Sequence, residues 1–518
     1  MDEKRLVPGF APRVLFVSAE VFPLAKTGGL ADVSGALPAV LSRLGADVRI
    51  MLPGYSEALD HAHHLNIVDT CELPEGRLLM GRMPDSNVPV ILFDAPELFR
   101  RGGDLYQDDS GQDWPDNDRR FAAFCRSAAL VALGRTTLGW RPQIVHANDW
   151  HTGMVAAFLR YSGETPPKTV FTIHNLAFQG NFPLTAFPYL GLPEEVLSSD
   201  GIEFYKQISF IKAGIRYSDR LTTVSPTYAR EILTQEHGCG LDGLLRSRAA
   251  DLVGILNGVD YSVWDPANDA ELPHRYSADD LAGKDDCKTA LLHEMGLPHN
   301  PDVPTIAYVN RLTTQKMADV VLEVLPRLVA NGAQVVVHGE GNCSFEERFL
   351  SMAHERPANL VVRLGYSEAM AHRIIGGCDL SLTPARFEPC GLTTMYAMRY
   401  GALPVTRTVG GLVDTVDDAG VVKDECKHGS GFTFGDATAD GLERCLVRAA
   451  SWYRDDSAWK RLQRQAMLRD FGWERSARRY LEVYATLLDE RIQKPTSAIG
   501  HRSAVNDLTP PVMVRDVG

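Results

Sequence analysis

The stretch Arg386-Phe387-Glu388-Pro389-Cys390-Gly391-Leu392-Thr393 decides how this chain is read. It follows the apolar run Asp379-Leu380-Ser381-Leu382-Thr383-Pro384, which predicts a buried strand closed by a proline. Leu392, Met395, Tyr396, Met398 and Arg399 then carry a helical pattern. A strand end, a turn holding a carboxylate and a glycine at a helix start describe the edge where open α/β sheets bind ligands. Unpaired N–H groups at that helix start favour an anionic or hydroxyl-rich ligand. On these residues alone a capped turn with Glu388 in solvent reads equally well, so the surroundings decide.

Moving outward, Pro304-Thr305-Ile306-Ala307-Tyr308-Val309 reads as a strand that ends in Asn310-Arg311-Leu312-Thr313-Thr314-Gln315-Lys316. A helix through Val320, Val321, Val324, Leu325 and Leu328 follows, then a strand over 334–338. Arg311 and Lys316 thus flank a strand-to-helix turn in an acidic chain. Positive charge is disfavoured at a helix N-terminus unless an anion visits. The pair suits a diphosphate, with Arg forking onto oxygens and Lys acting as a point charge. Ala402-Leu403-Pro404-Val405-Thr406 continues the sheet, and Thr408-Val409-Gly410-Gly411-Leu412 is another glycine turn.

The first half repeats the plan. Arg13-Val14-Leu15-Phe16-Val17-Ser18-Ala19 is a buried strand, Lys26-Thr27-Gly28-Gly29-Leu30-Ala31-Asp32 a turn, and Val33 to Leu44 a helix before the strand Val48-Arg49-Ile50-Met51-Leu52. The two glycines let backbone amides approach a ligand, and Lys26 adds a charge. Two later strands end in Asn148-Asp149-Trp150-His151 and in His174-Asn175. His146, His151 and His174 match no zinc spacing, and no metal is expected. Asp116-Asn117-Asp118 is read as a solvated helix cap, His61-Ala62-His63-His64 as a surface loop, and Trp150 as a core residue.

At 518 residues the chain is too long for one ordinary core, and the hinge is placed between Gly258 and Pro304. A formal net charge of −13 argues against nucleic acid or an anionic membrane as partner. Nine cysteines without a CxxC pair fit free thiols in a reducing compartment, so the expected location is cytoplasmic. No apolar run approaches the ~18 residues of a membrane helix.

Taken in order, the pieces Lys26 to Val33, Asn148 to His151, His174-Asn175-Leu176, Asn257-Gly258-Val259-Asp260, Arg311-Leu312-Thr313 with Gln315-Lys316, and Arg386 to Leu392 resemble the family of bacterial glycogen synthases and plant starch synthases. The resemblance spans most of the chain, from about Arg13 to Tyr484. It implies an α/β protein of two doubly wound Rossmann-like domains facing a central cleft, the GT-B type. The implied boundaries are 13–258 for the acceptor side, 259–475 for the donor side, 476–491 for a closing helix that returns to the first domain, and 492–518 for a disordered tail.

The implied reaction is transfer of glucose from ADP-glucose to the non-reducing end of an α-1,4-glucan (glycogen), with retention and without a cofactor. By the same resemblance Glu388, Arg311, Lys316 and His174 are catalytic. Lys26, Gly28, Gly29, Asp32, Asp149, Asn257, Cys390, Gly391, Leu392, Thr393 and Tyr106 bind substrate. The sequence departs from the family pattern at Met317, usually glycine, and at Asn342, Val409 and Phe178. A retaining hydrolase needs two carboxylates about 5 Å apart. Glu388 is the single convincing one, so a same-face displacement is expected in which the leaving phosphate takes the acceptor's proton. Two rival readings are weighed. A sucrose-synthase-like or lipid-sugar transferase is disfavoured by the Lys26 turn. A silent glucan-binding protein is disfavoured by intact Lys26, Arg311, Lys316 and Glu388.

Overall fold

A computed structural model of the chain describes residues 10–68, 73 and 75–493. The first half contains β1 (Arg13–Val17), β2 (Asp47–Pro53), β3 (His63–Val68), β4 (Arg77–Arg82), β5 (Pro89–Asp94), β6 (Ile144–Asn148) and β7 (Lys168–Ile173). A small antiparallel sheet of β8 (Asn181–Pro183), β9 (Glu203–Phe204) and β10 (Gln207–Ser209) precedes β11 (Arg220–Thr223) and β12 (Leu252–Gly254). The main sheet runs β12-β11-β7-β6-β1-β2-β5-β4-β3, parallel except for the β5-β4-β3 edge. The second half holds β13 (Thr305–Val309), β14 (Gln334–Gly339), β15 (Leu360–Leu364), β16 (Leu380–Thr383), β17 (Leu403–Arg407) and β18 (Phe432–Phe434). They form one parallel sheet, β15-β14-β13-β16-β17-β18.

Helices cover both faces of parallel sheets, so their central strands are largely apolar. Val14, Leu15, Phe16 and Val17 of β1 are fully buried, as are Leu380 and Leu403 in the second sheet. Strand order reverses between β1 and β6 in one half and between β13 and β16 in the other. A crevice opens at the carboxyl ends of strands at such switch points. Glu388 and Arg311 follow β16 and β13, and Lys26 and Asp149 follow β1 and β6. The two expected doubly wound sheets are therefore present, with these residues beyond the carboxyl ends of their strands.

Several elements differ from the expectation. His63 and His64 open β3 rather than a loop; the strand is exposed along most of its length and carries no alternating pattern. β4, the small sheet and the three-residue β18 were likewise not expected. Asp116 holds the N-cap position of the helix Asn117–Leu133 and stays partly exposed, but its side chain makes no cap bond: both its oxygens bond Arg101 at 2.7 Å, and the neighbouring Asn117 is buried against Arg120.

The halves join at a seam that the chain crosses twice. Val259 N–H donates to Phe471 O at 2.7 Å, and Val259 bridges Gly472 in parallel. A Cβ on Gly258 would lie 2.6 Å from Trp473 Cα, so only glycine fits this crossing. Trp264 is stacked between His372 and Tyr396, at 3.7 and 4.1 Å. Asp269 accepts from His372 and Tyr400, at 2.7 and 2.6 Å. The segment after the seam is therefore packed onto the second half from Trp264 onward, well before Pro304.

The last helix, Trp473–Gln493, returns to the first half. Its Trp473, Ala477, Tyr480, Leu481 and Tyr484 share a core with Leu37, Val40 and Leu41 of the helix Gly29–Arg43. Tyr484 Oη lies 2.7 Å from His146 Nδ1. The expected tail lies outside the described residues, apart from 492 and 493 in this helix. Among the described residues no helix is long and apolar enough to cross a membrane. The described cysteines are free, with Cys378, Cys390 and Cys445 buried.

Candidate active site

In the second half two loops are stitched side by side at the ends of β13 and β16. Arg386 donates its N–H to Gln315 O at 2.9 Å and forks onto Asp319 at 2.8 and 2.7 Å. Gln315 Nε2 reaches Phe387 O at 3.3 Å, and Tyr308 Oη donates to Lys316 O at 2.8 Å. This lacing brings the Lys316 ammonium onto the Glu388 carboxylate as an ion pair. Arg311 packs its guanidinium over the ring of Phe178 from the first half, 5.6 Å from the centroid. Met317 adopts φ +54°, a left-handed conformation that a glycine would hold without strain, with its side chain fully buried.

Gly391, at φ +86°, turns the chain into the helix Leu392–Arg399. Cys390 is buried beside Asn257, and burial pushes its thiol up to about 12, so it is a neutral group. The Asn257 Oδ1 is buried with no hydrogen-bond partner among the described residues. Leu392 crosses the cleft: its Cδ1 lies 3.0 Å from where a Gly29 Cβ would stand. Thr393 sits half-buried in the first turn of the same helix.

In the first half Lys26 Nζ bonds Asp32 Oδ1 and Glu368 Oε2, each at 2.8 Å, and the second of these comes from the other half. Burial works against its charge, but Asp32, Tyr366 and Glu368 outweigh burial and hold the ammonium above an ordinary lysine. Burial pushes the Asp32 carboxyl up to about 6 against the pull of Lys26.

Sequence reasoning missed the buried Glu20. Its Oε2 accepts the N–H groups of Thr27 and Gly28, both at 2.8 Å, and its Oε1 accepts from Tyr106 Oη at 2.7 Å. Burial raises its carboxyl above the usual range despite these donors. These bonds engage two of the expected binding residues, Gly28 and Tyr106. The Gly28 N–H is engaged by Glu20 and the Ala31 N–H by Gly28 O at 3.2 Å, and no side chain caps the helix start between them. Tyr106 turns inward, stacked on His151 at 4.4 Å.

Asp149 follows β6 at φ +60°, with Oδ1 accepting from Trp150 N–H at 3.1 Å. Burial, with Glu20 adding to it, pushes its carboxyl well above the usual range. His174 Nε2 meets Asn148 Oδ1 at 3.1 Å, and burial lowers the imidazole to about 3, so it is neutral at neutral pH. Trp150 packs against the core and fills the space a Gly180 Cβ would need. Among the described residues no hydrogen bond joins Tyr106, Asp149 or His174 to the Lys316–Glu388 pair.

A carboxylate just past the end of β1 is the same signal that singled out Glu388, so Glu20 was within reach of the sequence. Tyr366 and Glu368 meet Lys26 only through the fold and leave no local trace. No cluster of three or more His, Cys, Asp or Glu side chains suited to a metal ion gathers among the described residues.

The arrangement offers two cations and a carboxylate at one switch point, facing a glycine turn and a lysine at the other. Comparison with known proteins bears on what such a site serves. Residues 13–247 match the family model for the starch synthase catalytic domain, and residues 294–444 that for glycosyl transferases group 1. A glycogen synthase of Burkholderia thailandensis is 50% identical over 92% of this chain and 91% of its own length. One from Thioalkalivibrio sulfidiphilus is 48% identical over 92% of this chain and all of its own. The catalytic domain of starch synthase IV from Arabidopsis thaliana, solved with ADP and acarbose, superposes with a TM-score of 0.84 at 32% identity, covering 92% of this chain and all of that one. A sucrose-phosphate synthase from Thermosynechococcus elongatus, at 16% identity and TM-score 0.57, shares the fold. With half its residues identical to such a relative along nearly the whole length, the chain belongs to the glycogen and starch synthase family.

Proposed function

We propose that the protein is a retaining glucosyltransferase that moves glucose from ADP-glucose to the non-reducing end of an α-1,4-glucan such as glycogen, releasing ADP. The observation that carries the reading is the convergence of Arg311, Lys316 and Glu388 at the β13/β16 switch point, opposite the Lys26 turn. The relatives' names and the ADP and acarbose of the plant structure support it. Residues 259–475 take the donor, residues 13–258 the acceptor, and the helix over 476–491 completes the acceptor side. Free thiols fit a cytoplasmic setting.

Breaking a glycosyl phosphate builds positive charge on the sugar and negative charge on the departing diphosphate. Arg311 forks onto phosphate oxygens and Lys316 adds a point charge, stabilising the leaving group. Glu388 orients the donor glucose and offsets the charge on its ring. The donor diphosphate competes for Lys316, so its arrival frees the carboxylate to face the sugar. The acceptor hydroxyl attacks from the face the phosphate leaves, and the phosphate takes its proton. Lys26, Asp32, Asn257 and the backbone of Cys390, Gly391, Leu392 and Thr393 hold phosphate and sugar hydroxyls. Asp149, His174 and Tyr106 shape the sugar and acceptor side, His174 as a neutral imidazole.

The test is ADP release from ADP-glucose with and without glycogen, in chelator, beside UDP-glucose. Glycogen-dependent release from ADP-glucose supports the reading. Release from neither donor removes it, and release from UDP-glucose alone replaces the donor.

A further inference from the structure

Besides the Lys26–Glu368 contact, a second set of bonds ties the halves together. The short helix Pro226–Glu231 of the first half meets the helix Gly411–Thr415 of the second. Asp414 spends both oxygens on Thr227, accepting its N–H at 2.8 Å and its hydroxyl at 2.7 Å. Arg230 donates to the same hydroxyl oxygen at 2.7 Å. One turn on, Glu231 Oε1 accepts the Gly410 N–H at 2.9 Å.

The Gly410 turn bears directly on the candidate catalytic loop. Gly410 sits at φ +50°, and a Cβ there would stand 1.9 Å from Glu388 O. The next amide, Gly411 N–H, donates to that same Glu388 oxygen at 2.9 Å. A carboxylate of the first half therefore grips the turn that holds the backbone of Glu388 in the second. Separating the halves breaks the Glu231 and Asp414 bonds and loosens that turn.

We propose that Glu231 and Asp414 are positioning residues that make the placement of Glu388 conditional on closure of the two halves. The proposal rests on the reading that Glu388 acts on the donor sugar. Its benefit is chemical: an open cleft, where water could attack the donor, holds an unassembled site.

The test measures kcat and the ADP-glucose KM for Glu231→Ala, Glu231→Gln and Asp414→Ala, with melting temperatures. Both alanine variants lower kcat about tenfold while KM stays within about twofold. Glu231→Gln keeps an oxygen for the Gly410 N–H and recovers most of the loss. A lowered melting temperature with unchanged kcat would make the contacts merely structural and overturn the proposal, as would a glutamine variant no better than alanine. Thr227→Val, which removes the hydroxyl donor, replaces Asp414→Ala if that variant does not fold. Small-angle scattering separates this proposal from the donor reading, since it needs no substrate. The ligand-free Glu231→Ala/Asp414→Ala protein has a larger radius of gyration than the parent, and equal radii overturn the clasp even where ADP-glucose proves to be the wrong donor.

Discussion

Lys316 and Glu388, seventy-two positions apart, form an ion pair in which the ammonium meets the carboxylate directly. The carboxylate proposed to serve the donor sugar thus neutralises a cation proposed for the diphosphate. Breaking this pair costs the donor part of its binding energy, and only what the two groups gain between bound donor and transition state accelerates the chemistry.

Glu388→Ala is expected to reduce kcat by about 100-fold or more, the size of effect seen when one electrostatic contact to a transition state is lost. The ADP-glucose KM should change little. Steady-state kinetics decide the matter, and parallel losses in kcat and donor affinity would assign Glu388 to ground-state binding instead.

Arg311→Lys keeps the charge but loses the fork and the flat face laid on Phe178. A drop in kcat of about tenfold or more is expected, with weaker ADP binding by titration calorimetry. Phe178→Ala should cause a smaller drop of the same kind, because an exposed cation–π contact contributes only about 0.5–1 kcal/mol.

His146 lies fully buried between Tyr484 and Thr172, and burial lowers it to about 3. The unfolded chain binds a proton near pH 6.5 that the folded chain refuses, so stability falls as pH drops below that value. From pH 7 to pH 5 this histidine alone removes about 2 kcal/mol. Urea unfolding of the parent and of His146→Asn should show the parent losing about that much more between the two pH values.

Met317→Gly sets two effects against each other. It relieves a left-handed non-glycine residue, a strain of about 1–3 kcal/mol, and empties a buried methionine site, a loss of about 2–5 kcal/mol. The cavity wins, and a net loss of about 1–3 kcal/mol is expected in a denaturant midpoint. A stabilised variant would show that relief of the backbone strain outweighs the cavity.

Legibility in the sequence followed burial. The central strands were readable because parallel strands covered on both faces are unbroken apolar runs, as in Val14 to Val17. Exposed β3 and three-residue β18 carry no such run. Arg311, Lys316, Glu388 and the Lys26 turn could be found because each sits where a strand gives way to a helix. The partners of those residues could not. Glu368 reaches Lys26 across 342 positions and Glu231 reaches Gly410 across 179, and only the packing of one half on the other creates those bonds.

The returning helix sets an order of assembly during synthesis. Leu37 and Leu41 lie in a core completed by Tyr480, Leu481 and Tyr484, which leave the ribosome more than four hundred residues later. Until then the first lobe emerges with an oily flank uncovered. A nascent chain stalled before Trp473 should therefore bind holdase chaperones through its amino-terminal half, although every strand of that half's sheet has already been made.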